Sequence, residues 1–87
     1  MTWIAIHETK NRTILINGGR VKKIIIQKKW YDPIRKKKMT KILFVEDEPL
    51  ASLVTDVEDP LELVTEIVTA MNKGELIIEV NHPRDES

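Results

Sequence analysis

The sequence predicts a small α+β domain: a strongly bent antiparallel sheet, or partly open barrel, of five to six strands with one helix over residues 59–73 packed against it. Three observations predict it. Apolar and polar residues alternate through several short runs, the period of a half-buried strand. One stretch, Asp59-Pro60-Leu61-Glu62, carries the start signals of a helix. The 87 residues, 41% hydrophobic and 32% charged, suffice for one core and not for two. Residues 1–80 are therefore read as a single domain and residues 81–87, polar and containing Pro83, as a flexible tail.

The elements follow in order. Residues 2–7 set Trp3, Ala5 and His7 on one face and Ile4 and Ile6 on the other, a first strand. Residues 13–17 repeat the alternation with Ile14 and Ile16 opposite Leu15, and Asn17-Gly18-Gly19 ends the strand in a turn, since asparagine and glycine tolerate positive φ. Residues 21–30 form a long third strand that sends Ile24, Ile26 and Trp30 to one side and Ile25 to the other. Tyr31-Asp32-Pro33 fixes a bend, because proline sets its own φ and pushes the residue before it out of the helical region. Residues 35–38 are then a hairpin tip, residues 39–46 a fourth strand and residues 52–57 a shorter fifth.

In the helix, Asp59 is the N-cap, Pro60 the first helical residue and Glu62 the capping-box acid. Leu61, Leu63, Val64, Ile67, Val68 and Met71 form its apolar stripe, and Gly74 ends it. Residues 75–80 are a closing strand. The expected core is Ile4, Ile6, Ile14, Ile16, Ile24, Ile26, Ile42, Phe44, Leu61, Val64, Ile67 and Val68.

Several function classes fall away. The longest apolar runs are three or four residues, so neither a membrane span nor a secretory signal is expected, and a cytoplasmic location is. Without cysteine there is no disulfide, thiolate metal site or thiol nucleophile. His7 lies in a strand and His82 in the tail, without the spacing of a zinc helix or a nucleophile partner. Gly18-Gly19 precedes a strand, where a phosphate loop would precede a helix. The expectation is a chain that is not an enzyme and takes no cofactor or metal.

Charge is the informative property. Twelve Lys and Arg against two acids give the chain up to Val45 a net +10, and two basic residues against twelve acids give the remainder −10. Lys28, Lys29, Arg35, Lys36, Lys37, Lys38 and Lys41 flank Trp30 and Tyr31 in one hairpin, and these nine are the candidate binding residues. Opposite charge poles and open sheet edges favour association. The leading expectation is a non-catalytic interaction module that binds a protein partner and self-associates as a homo-oligomer. Contacts between exposed charges, screened beyond about 8 Å at physiological ionic strength, would weaken with salt. The alternative is a nucleic-acid-binding protein using hairpin 28–41, since phosphates take the charge and exposed bases stack on the rings.

Three resemblances accompany these readings. Lys41-Ile42-Leu43-Phe44-Val45-Glu46-Asp47-Glu48-Pro49 is similar to the opening strand of a response-regulator receiver domain, which implies a magnesium ion on Glu46 and Asp47. A receiver has five strand-helix units, whereas only 38 residues follow Pro49, so the stretch is read as a strand ending in an acidic turn. More of the chain resembles the small flagellar FlbD and swarming SwrD proteins. The resemblance lies in an apolar strand, Ile14-Leu15-Ile16-Asn17, Val21 and Ile24, a further strand, and residues 53–64 running through Asp56, Glu58 and Asp59 into a helix. It implies a strand-rich plan and a flagellar or swarming role. The chain departs from that pattern by lacking a glycine in its first turn and by adding the lysine-rich hairpin and a strand after the helix. The Ile-Asn, Val-x-x-Ile signature is also similar to that of the LytTR DNA-binding domain.

Overall fold

The computed structural model describes residues 1–9 and 11–81. Among these described residues, six strands and one α-helix form a small α+β fold. Strand β1 (Trp3–Thr9) is the centre of one three-stranded sheet, antiparallel to β2 (Arg12–Asn17) and parallel to β6 (Ile77–Asn81). Strands β3 (Lys23–Asp32), β4 (Lys37–Val45) and β5 (Pro49–Thr55) make a second, antiparallel sheet. The strands thus divide between two separate sheets, and one pairing is parallel. The helix explains the parallel pair: α1 (Pro60–Asn72) stands between β5 and β6, and the chain returns to β1 by this crossover instead of a tight turn. Asn81, expected in the tail, pairs with His7 at the end of β6. His82 and the rest of 82–87 lie outside the described residues.

The two inner faces share one core. Ile4 and Ile6 of β1, Ile16 of β2, Ile42 and Phe44 of β4, Ala51 and Leu53 of β5, Ile67 of α1 and Val80 of β6 are all buried there. Ile14, Ile24 and Val64 pack against it as expected, and Ile26 is half-buried. Leu61 and Val68, expected in the core, are exposed. Seven residues apart, they share one flank of the helix, while Leu63, Val64, Ile67 and Met71 form the narrower stripe that reaches the sheets. The helix touches β3 and β6 and so lies across the gap between the two sheets.

Local signals explain the ends of these elements. Asp59 Oδ1 accepts the Glu62 N–H at 3.1 Å, and Pro60 opens the helix. Gly74 follows it with φ +78°, a left-handed conformation costly for side-chain-bearing residues. At Asn17-Gly18-Gly19 the expected turn forms, for a different reason. Gly18 has no positive φ; a Cβ there would meet the Thr2 carbonyl at 3.0 Å and Met71 Cε at 3.1 Å. Asn17 Oδ1 accepts the Gly19 N–H at 2.9 Å, and a 3-10 turn over Gly18–Arg20 leads the chain from the first sheet to the second.

Candidate binding surfaces on the two sheets

Strand β5 accompanies β4 only as far as the Thr40–Thr55 pair. Beyond it, Trp30–Met39, Tyr31–Lys38 and Asp32–Lys37 form a two-stranded ribbon with no third strand. A β-bulge separates ribbon from sheet: between Gln27 and Trp30, β3 carries one residue more than β4, and Lys29 adopts φ +59°. The extra residue reverses the alternation. Trp30, expected beside Ile24 and Ile26, stands on the opposite face with Met39 and Lys41. Lys41 Nζ lies 4.7 Å from the indole centroid, a cation–π contact, and Met39, paired with Trp30, is buried.

The turn of the ribbon is closed by Asp32, which is only 2% exposed. One carboxylate oxygen accepts the Ile34 N–H at 2.9 Å and the other accepts Arg35 Nη1 at 2.6 Å. Lys36, at φ +57°, donates its N–H to the Asp32 carbonyl at 2.7 Å. Burial works to raise the Asp32 pKa. The hydrogen bonds from the Arg35 side chain and the Ile34 and Arg35 backbone, with the Arg35 charge, outweigh it and hold the carboxyl below its ordinary range.

The nine candidate residues therefore divide. Arg35, Trp30 and Lys41 are engaged within the ribbon and the adjoining sheet. Lys28, Lys29, Tyr31, Lys36, Lys37 and Lys38 are exposed, and no described acid lies in ion-pair range of these five lysines. Tyr31 is 55% exposed and shares a ribbon face with its cross-strand partner Lys38. Lys28, Lys29 and Lys38 border an open groove of about 310 Å³ whose far side carries Asp56 and Glu58.

The acidic turn after β4 has other uses. Glu46 accepts from Arg20 at 2.7 Å and Asp47 pairs with Lys22 at 3.5 Å, stitching the basic half of the chain to the acidic half. The strand before that turn runs on into a β-hairpin with β5. Among the described residues no three His, Asp or Glu side chains gather as metal ligands.

The solvent face of the first sheet was less legible. Its register sets Trp3 beside Ile77, and Ala5 between Leu15 and Glu79. Leu15 is 57% exposed and Ile77 52%, with exposed Trp3 on the strand between theirs. At the polar end, His7 Nε2 meets Glu79 Oε1 at 2.9 Å and Nδ1 meets Thr13 Oγ1 at 2.8 Å. A hydroxyl, an imidazole and a carboxylate in series share the connectivity of a nucleophilic triad. Here they lie on an open sheet face and tie β2 and β6 to β1, outside the ribbon groove. The alternation of residues 2–7 identifies Trp3 and His7 as neighbours on a face. Their partners on β6, about seventy residues away, carry no local signal.

Compared with known proteins, the chain matches no family model, no curated protein and no solved structure, and the functional reading rests on this geometry.

Proposed function

We propose that the chain is a non-catalytic interaction module whose protein partner is a second copy of itself, joined through the solvent face of the β2-β1-β6 sheet. One observation carries this reading: Trp3, Leu15 and Ile77 are neighbours on that face and are all exposed. Single exposed apolar residues are ordinary, but a contiguous patch rimmed by polar groups marks an association surface. The rim here is His7, Thr13 and Glu79. Two such faces can stack about 10 Å apart, as sheets do in a sandwich, and a two-fold arrangement buries the same patch on both copies. A chain this short gains from association, because alone it buries a modest share of its surface.

Sedimentation velocity over a concentration series tests the reading. The wild-type chain should assemble, and Leu15→Glu, at an exposed strand position, should remain monomeric with an unchanged circular dichroism spectrum. Assembly through the apolar face should persist as salt rises, whereas basic-to-acidic contacts would dissociate. A wild-type monomer at every concentration, or a Leu15→Glu chain that still assembles, refutes the proposal.

A further inference from the structure

The ribbon offers a second surface of different chemistry. We propose that it binds single-stranded nucleic acid, with Tyr31 as the stacking platform, the exposed lysines as phosphate contacts, and Asp56 and Glu58 limiting the affinity from across the groove.

Four features support this site. First, the ribbon stands clear of the third strand over its last three residue pairs, and its Tyr31–Lys38 pair is exposed, while Met39 and Asp32 are buried on the other face. Second, Lys28, Lys29, Lys36, Lys37 and Lys38 are exposed and outside ion-pair range of every described acid, a concentration of uncompensated charge that a polyanion relieves. Third, Tyr31 and Lys38 stand opposite one another on the same ribbon face, so a ring and a cation address one ligand together. An acidic peptide would satisfy the lysines and leave the exposed ring without a role, whereas a base supplies a flat π surface for it. A duplex keeps its bases stacked inside, so a single strand is the partner that uses both groups. Fourth, the ribbon is pre-organised: Asp32, held by Arg35 and the turn backbone, fixes the tip before a ligand arrives, which reduces the ordering cost of binding.

Asp56 and Glu58 are exposed on the far side of the groove that Lys28, Lys29 and Lys38 border. Facing the lysines without contacting them, they repel phosphates entering the groove. Removing their charge should strengthen binding.

Fluorescence anisotropy with labelled oligo-dT, oligo-U and a mixed-sequence duplex, in about 100 mM salt, tests the site on the full chain. Both single strands should bind more tightly than the duplex. Replacing Lys36, Lys37 and Lys38 together by glutamine should weaken all three probes and lower the log-log salt slope for single strands by about 0.7 × 3 ≈ 2. Tyr31→Ala should weaken single-strand binding by about 5- to 150-fold, the equivalent of one stacked base, and leave the duplex unaffected. The double variant Asp56→Asn, Glu58→Gln should bind single strands more tightly than wild type. Circular dichroism verifies that each variant is folded. Binding no tighter than about 10⁻⁴ M overturns the proposal, as does a preference for duplex or a Tyr31→Ala variant that binds as wild type. If Asp56→Asn, Glu58→Gln leaves affinity unchanged, the acidic side has no limiting role. Self-association through the first sheet is measured separately, so either proposal can fail without the other.

Discussion

From Lys23 to Gln27, strand β3 lies in a three-stranded sheet and turns Ile24 and Ile26 toward the core; from Trp30 to Asp32 the same strand has only β4 beside it. The first half is held by burial against residues distant in sequence, among them Phe44 and Ile42 across the ladder. The second half shows contacts that are short-range in sequence, Asp32 to Ile34 and Arg35 and Trp30 to Met39 and Lys41, and its Lys38 and Met39 border the groove opposite Asp56 and Glu58. Such a ribbon can be strongly basic and still ordered, because its lysines face water while one buried carboxylate closes its turn. Removing support from one half should therefore leave a distinct signature in the other.

The largest effect is expected at Phe44, fully buried at the centre of the sheet half. Phe44→Ala should cost about 3–5 kcal/mol by loss of transfer energy and the cavity left behind. A domain of this size has little more than that in reserve, so denaturant unfolding should show sheet and ribbon melting together. A cost near zero would mean that the sheet half is not held by this core.

Asp32 probes the other half. Asp32→Asn keeps an acceptor for the Ile34 N–H and removes the charge facing Arg35, at an expected cost of about 1–3 kcal/mol. Hydrogen exchange should show that loss in residues 30–39 and leave residues 42–45 protected; uniform loss would erase the distinction between the halves. The pH dependence carries the same information. The folded carboxyl titrates below its unfolded value of about 3.9, so its contribution is complete above that value and is lost as pH falls through the lower folded pKa. Acidification below about pH 4 should loosen the wild-type ribbon toward the state that Asp32→Asn already occupies at neutral pH.

The difference between the halves also explains what could be read from the chain. Asp59-Pro60, Gly74 and the alternations around Ile4, Ile14 and Ile42 are local patterns, and the helix and strands form where they point. The bend at Asp32-Pro33 was legible too, though β3 continues through Asp32 before turning. The side of Trp30 was not legible: the one-residue bulge at Lys28-Lys29 leaves no local trace beyond two lysines in a strand. Division into two sheets was equally hidden, since it depends on which edge β6 joins after the helix. Among the nine candidate residues, composition identified the basic hairpin. It could not separate Arg35, drawn in by Asp32, from the neighbouring lysines that face water.

The smallest predicted effect tests whether the bulge has the purpose its geometry indicates. By adding one residue it sets Trp30 on the face of Lys41, with the ammonium 4.7 Å from the ring centroid, rather than beside Ile26. If that placement fastens the foot of the ribbon to the sheet, Lys41→Gln should cost about 0.5–1 kcal/mol, the range for a partly exposed cation–π contact. The change should also appear spectroscopically. In a Trp3→Phe background Trp30 is the one remaining tryptophan, and replacing Lys41 should shift its emission while Phe44-centred stability changes little. Unchanged emission would mean that Lys41 does not hold the ring. The ribbon would then rest on the Asp32 closure alone, and its two ends would loosen independently in hydrogen exchange.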